Sequence, residues 1–239
     1  MFLATLNKLY NSLLNLLLPP QCVNCKISGS WLCSNCLAQI SFSPTEVCII
    51  CGVPAPLKTV CKHCQNNNTL QYLDGIRSAT YFEKGPIRSA IHAFKYGNNQ
   101  AISAILTRML VEAYQRYQLN VDFILPVPLH ASRLSERGYN QSELLATGVS
   151  LSCQVPLNVT TLLRVHHTET QAHLDIKGRY ENVKNAFSCV NDLLSEKIVL
   201  LVDDVCTTGA TLDACAMTLK KTGVHKVWAL SIARVPHVN

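Results

Sequence analysis

Charge is scarce in this sequence. Asp, Glu, Lys and Arg together make up 15% of its 239 residues, and the formal net charge is +6. That mild basic excess favours phosphate-bearing partners, yet it is far below the density of a dedicated nucleic-acid-binding protein. A membrane-spanning run is also lacking. A span needs roughly 20 predominantly apolar residues, and the leucine-rich N-terminal stretch 1–18 is interrupted by Asn7, Asn11, Ser12 and Asn15. It has no small-residue cleavage site, so it does not read as a secretory signal. A short amphipathic helix stopped by Pro19-Pro20 is the better reading, and no stable membrane insertion is expected. With 48% hydrophobic residues, the chain can bury the core of one large domain or two modest ones.

What the chain does have is cysteine. Eight of its twelve cysteines form four Cys-x-x-Cys pairs, Cys22/Cys25, Cys33/Cys36, Cys48/Cys51 and Cys61/Cys64. Thiolates separated by two residues on a tight turn can face one tetrahedral ion, and two such turns complete a four-cysteine zinc site. Four pairs therefore predict about two structural Zn²⁺ ions. Disulfides are disfavoured by the missing secretory signal and by four further cysteines, Cys153, Cys189, Cys206 and Cys215, that stand singly. The spacing admits sequential pairing (first with second, third with fourth) and interleaved pairing alike. His63, inside the fourth pair, reads as a bystander. Pro44, Gly52, Pro54 and Pro56 make the region rich in turns, so metal binding must supply much of its folding free energy. Residues 66–69 break both the cysteine pattern and the apolar pattern. They place a boundary between an N-terminal helix and double zinc-ribbon module, 1–72, and a larger domain, 73–239.

The larger domain alternates strand-like and helix-like segments. Strands are predicted over 76–81, 121–127, 160–165, 186–190, 198–202 and 226–233. Helices are predicted over 86–96, 101–117, 141–151 and 211–221. This order predicts an α/β fold with a parallel sheet flanked by helices. The fully apolar run 198–202 suits a central strand buried on both faces. Ligands of such sheets lie beyond the carboxyl ends of the strands, and there the sequence reads Asp203-Asp204-Val205-Cys206-Thr207-Thr208-Gly209-Ala210-Thr211. Backbone N–H groups opening a helix, with Thr hydroxyls beside them, form a phosphate cradle, and Gly209 permits close backbone approach. The paired carboxylates suit vicinal sugar hydroxyls. Together they describe a ribose-5-phosphate site.

The peptide 199–211 resembles the signature of type I phosphoribosyltransferases, which bind phosphoribosyl pyrophosphate (PRPP). Taken with the four cysteine pairs, Phe94-Lys95-Tyr96-Gly97, Leu125-Pro126-Val127-Pro128-Leu129-His130 and Arg137-Gly138-Tyr139-Asn140-Gln141, the chain is similar to the ComF family over residues 18–234. That resemblance implies a type I phosphoribosyltransferase-like fold behind a double zinc ribbon. It also implies a part in natural transformation, assisting incoming single-stranded DNA on the cytoplasmic side alongside other transformation proteins. Asp203 and Asp204 would hold the ribose hydroxyls, and Thr207, Thr208, Gly209 and Thr211 the 5-phosphate. His130, Arg133 and Arg137 would reach the pyrophosphate, with Arg137 and Asn140 opening the next helix. Cys206 would be a loop filler. The polar segment 164–185 occupies the position of a mobile hood, where Arg164 and Arg179 are the catalytic cations and Gln171 and Asn182 assist. His166-His167 has no third ligand spaced for a metal. Mg²⁺ would arrive with PRPP, bridging pyrophosphate and ribose oxygens.

No base-recognition element is readable, so the acceptor is open. Three functions remain: an active phosphoribosyltransferase, a PRPP-binding sensor or adaptor without turnover, and a single-stranded DNA contact that coexists with either. For DNA, the richest stretch is 77–108, with Arg77, Lys84, Arg88, Lys95 and Arg108 opposed only by Glu83 and with Tyr81, Phe82, Phe94 and Tyr96 close in sequence.

Overall fold

The run Ile198–Val202 is water-free along most of its length: Val199, Leu200, Leu201 and Val202 are each 0% exposed. It lies within a computed structural model that describes residues 19–56, 59–67, 70–97, 99–166, 183 and 185–235. In chain order the first elements are α1 (Ser34–Leu37), α2 (Lys62–Asn67), β1 (Gly75–Tyr81), α3 (Pro86–Tyr96), α4 (Ser103–Arg116) and β2 (Phe123–Pro126). There follow α5 (Ala131–Arg137), α6 (Gln141–Cys153), β3 (Leu162–Arg164), β4 (Phe187–Cys189), β5 (Ile198–Cys206), α7 (Ala210–Lys220) and β6 (Lys226–Arg234).

Two compact units form, and neither is continuous in sequence. The described residues up to 40 belong with 84–102, and residues 41–83 with those from 103 onward. In the smaller unit, Ile87, Ala90, Ile91 and Phe94 of α3 are buried. Their spacing is that of one helical face, with Pro86 at the first helical position.

The larger unit is built on a four-stranded parallel sheet of order β1-β6-β5-β2. β5 is flanked by β6 and β2, which explains its unbroken apolar run: both faces are covered, so no alternation is needed. β3 and β4 form a separate antiparallel pair, Leu162↔Cys189 to Arg164↔Phe187.

β5 is longer than the predicted 198–202. β6 continues beside it, pairing Asp203↔Ser231, Val205↔Ala233 and Cys206↔Arg234. Asp203 therefore pairs with β6, and the strand runs on past both aspartates to Cys206. A helix not foreseen, α5, fills the connection after β2. His130 caps it, with Nδ1 accepting from the Ser132 N–H at 3.3 Å, and Gly138 ends it in the left-handed region at φ 75°. Arg137 thus closes α5 instead of opening the next helix, whose N-cap is Asn140.

Asp213, in the first turn of α7 and 4% exposed, fixes the chain entering β1. It accepts the N–H groups of Gln71 (3.2 Å), Tyr72 (2.9 Å) and Leu73 (3.0 Å). Charge-assisted bonds to a buried carboxylate are strong, and its loss leaves the buried Leu73 donor unsatisfied. Asp213→Ala is expected to destabilise the protein by about 3 kcal/mol in urea unfolding. A change below about 0.5 kcal/mol contradicts this role.

Candidate functional site

Two clusters of four cysteines settle the pairing left open by the spacing. Cys22, Cys25, Cys33 and Cys36 form one, and Cys48, Cys51, Cys61 and Cys64 the other; within each, the ligand atoms lie within 4.8 Å of one another. Pairing is sequential. A tetrahedral ion with Zn–S bonds of about 2.3 Å holds sulfurs about 3.8 Å apart, and Cys25–Cys33 at 3.5 Å and Cys51–Cys61 at 3.6 Å are close to that. Both clusters are built alike. The N–H of Cys33 donates to Cys22 Sγ at 3.5 Å, and that of Cys61 to Cys48 Sγ at 3.3 Å.

The residue after each first pair, Lys26 (φ 66°) or Gly52 (φ 73°), turns left-handed. At position 52 glycine is required, because a Cβ would meet the Ile76 carbonyl oxygen at 2.4 Å. Burial raises the Cys22 and Cys48 thiols, but the surrounding backbone N–H groups win and bring them down to about 6 and about 7. Four sulfurs drawn together in each cluster suit a structural zinc ion. His63 is not among the converging groups.

At the carboxyl edge of the sheet, the Asp203 carboxylate is held in place. Its Oδ1 accepts the Ser142 hydroxyl at 2.8 Å and the Asp204 N–H at 2.9 Å. Ser142 donates its N–H to Asn140 Oδ1 at 3.1 Å, and Asn140 Nδ2 donates to the Val127 carbonyl at 3.1 Å. One chain of bonds thus joins the loop after β2, the start of α6 and the end of β5. Asp204 is buried at 6% exposure.

Thr207 and Thr208 follow, half-buried. Gly209 caps α7 at φ 85°, and Thr208 Oγ1 accepts the Ala210 N–H at 3.3 Å. Thr211 lies in the first turn. The helix start offers donors and positive potential to an anion beside two carboxylates that accept hydroxyl protons. Burial pushes the Cys206 thiol up to about 11, which suits an inert filler.

Arg164, at the end of β3, lies over the Phe187 ring at 5.5 Å. Burial lowers its pKa; Arg133 adds to that and Asp203 opposes it. These three groups therefore share one electrostatic neighbourhood. His130 caps α5, and Arg137 Nη1 donates to Gln141 Oε1 at 3.0 Å. Arg179, Gln171, Asn182 and His167 lie outside the described residues. Ser142 and Asp213 were missed by sequence reading. The Asn140-x-Ser142 cap spacing was a signal for the helix start, but nothing in it told of Asp203.

In the smaller unit, a cleft of about 460 Å³ is lined by Lys26, Lys84, Gly85, Arg88, Ser89 and His92, among others. Ser89 Oγ donates to Asn24 Oδ1 at 3.0 Å, and Asn24 Nδ2 to Cys36 Sγ at 3.4 Å. The first cysteine cluster thereby braces a cationic cleft at the start of α3.

Two family models match the chain: a double zinc ribbon domain over residues 13–65 and a phosphoribosyl transferase domain over 92–237. The chain is 34% identical over 227 residues to competence protein F of Haemophilus influenzae, covering 90% of this chain and 96% of that protein. It is 33% identical over 230 residues to the DNA utilization protein YhgH of Escherichia coli K12, covering 90% and 98%. A glutamine PRPP amidotransferase from Bacillus subtilis is a structural neighbour at TM-score 0.42 and 16% identity, covering 59% of this chain and 30% of that one.

The cysteine geometry predicts about two zinc ions per chain by elemental analysis. Cys25→Ser, at an exposed ligand, should lower this to about one while the sheet unit stays folded. Cys48→Ser, at a fully buried one, should cost soluble protein. Metal-free protein carrying four disulfides would contradict the assignment.

Proposed function

Because the chain belongs to the ComF family of competence and DNA-utilization proteins, with a phosphoribosyltransferase domain behind a double zinc ribbon, we propose that it binds PRPP with Mg²⁺ and assists the handling of incoming single-stranded DNA on the cytoplasmic side. One observation carries the PRPP reading: a carboxylate locked by Ser142, four residues before a Thr-Thr-Gly turn that opens a helix. Asp203 and Asp204 accept the ribose 2- and 3-hydroxyls. The N–H groups at the start of α7 and the hydroxyls of Thr207, Thr208 and Thr211 take the 5-phosphate, and Gly209 lets the backbone approach it. Arg133 and Arg164 oppose the pyrophosphate charge, assisted by His130 and Arg137 from the β2–α6 connection. Arg179 belongs to this set by sequence position.

These residues are oxygen donors and cations of the kind that hold a hydrated Mg²⁺–pyrophosphate, and the ion would supply neutralisation of the leaving group. The reaction class is displacement of pyrophosphate at C1 of the ribose, with Arg164 stabilising the departing charge. Release of pyrophosphate with candidate acceptors decides between a transferase and a PRPP-responsive adaptor.

The DNA reading rests on the cationic cleft of the smaller unit. Lys26, Lys84, Arg88 and His92 are exposed there beside a helix start. One turn on, Lys95 is half-buried and Tyr96 exposed. Cations that track a backbone, with an exposed ring for stacking, suit single strands without sequence preference.

Asp203→Asn with Asp204→Asn keeps the shape of the buried Asp204 side chain and removes both charges. PRPP affinity by isothermal titration in Mg²⁺ should fall more than about 100-fold, with an unchanged circular dichroism spectrum. Parental affinity in that variant refutes the ribose assignment.

Replacing Lys26, Lys84 and Arg88 by Ala should weaken single-stranded DNA binding and leave PRPP binding intact. The salt dependence of DNA binding should flatten by about 0.7 for each phosphate no longer neutralised. An unchanged slope refutes the cleft as the DNA contact.

A further inference from the structure

Arg234, the last residue of β6, is 1% exposed, and its Nε and Nη1 have no hydrogen-bond partner. A guanidinium stays charged at every working pH, and burying it uncompensated costs several kcal/mol. Among the described residues no carboxylate forms an ion pair with it. What it faces instead is the second cysteine cluster. Nη1 packs on the Cα of Gly52, close enough that a Cβ there would lie 3.4 Å from it, and Gly52 is the turn residue between Cys51 and the rest of the knuckle.

A second buried arginine approaches the same cluster. Arg77 of β1 is 9% exposed. Its Nη1 donates to the carbonyls of Cys48 (3.4 Å), Ile49 (3.2 Å) and Ile76 (2.8 Å), and its guanidinium lies over Tyr117 and Trp228 at 5.5 and 5.1 Å. One zinc ion on four thiolates leaves a net charge of about −2, and Arg77 with Arg234 supplies the matching positive charge. At the first cluster, Cys25 is exposed to water that screens the site.

We propose that Arg77 and Arg234 are the built-in counter-charge of the second zinc site, which makes metal occupancy there part of the fold of the sheet and leaves the first site a separate, exchangeable one. The consequence reaches the phosphate loop. Arg234 pairs with Cys206, the residue before Thr207. Its carbonyl accepts the Phe82 N–H at 2.7 Å, and the Val235 N–H donates to the Cys206 carbonyl at 2.9 Å. Losing the ion strands two buried cations, one of them, Arg234, at the end of the ladder that carries the loop.

The test uses the full-length, zinc-loaded chain and a pyridylazoresorcinol chelator, with zinc release followed by absorbance. Release should be biphasic, and the slow phase should be the one retained in Cys25→Ser. Arg234→Met, similar in bulk but uncharged, should speed the slow phase at least about tenfold and leave the fast phase alone. Arg234→Lys should stay near the parent.

The gain in Tm from zinc provides a second measurement. A counter-charge predicts that Arg234→Met shrinks this gain by about 4 °C or more. A merely packing role lowers Tm equally with and without zinc. Should Arg234→Met fail to fold, Arg77→Met carries both measurements. A slow phase and a zinc-dependent Tm gain equal to the parent's, in either variant, overturn the proposal.

Discussion

The ladder between β5 and β6 is the constraint on which the rest of the larger unit depends. It runs from Ile198↔Lys226 to Cys206↔Arg234, and its inner half is dry, so every backbone N–H and C=O there must find its partner in the neighbouring strand. That requirement carries the polar tail of β5 along with the apolar half. Asp203 is held by pairing to Ser231 of β6, and Asp204 lies in the same strand between two paired residues. Ser142 then sets the Asp203 carboxylate from the α6 side. A site that must present two oxygens and a row of N–H groups in fixed relation gains from this rigidity, because little ordering remains to be done when a ligand arrives.

A chain with few charges puts them where water is excluded or where they converge. Asp213 is buried and gathers three N–H groups from the segment before β1. Arg77 and Arg234 are buried and face the second cysteine cluster. Lys26, Lys84 and Arg88 line one exposed cleft. The first two groups are internal to the fold, where an ion without compensation is costly. The third remains in water, where it costs little and can meet phosphates. The modest net charge of +6 thus says little about binding, since the arrangement matters more than the sum.

Much of the fold was legible because its signals are local. The apolar run of β5, the Pro86 helix start and the Thr-Thr-Gly turn each owe their conformation to neighbours within a few residues. The cysteine pairs were legible for the same reason. Other features rest on partners far away in sequence. The extension of β5 to Cys206 depends on β6 continuing beside it. Helix α5 arises from the His130 cap and Gly138, weak signals inside a segment that reads as a turn. Ser142 meets Asp203 only through the packing of α6 on β5. Sequence texture put a boundary at 72/73, whereas packing groups the second cysteine cluster with the sheet and the first with α3, because Arg77, Ile76 and Arg234 reach back to the turn at Gly52.

By itself, the sequence determined the element types, the parallel α/β class, the two four-cysteine metal sites and the acidic-then-threonine loop at a strand end. Each follows from short-range stereochemistry: side-chain periodicity, the reach of a Cys-x-x-Cys turn, and the backbone freedom of glycine before a helix. Only the tertiary structure decided which cysteine pairs share an ion, what orients Asp203, and which buried arginines face the second cluster. Those are contacts between groups tens of residues apart, and burial decides their weight: the low-dielectric interior turns a placement that sequence leaves indifferent into one worth several kcal/mol.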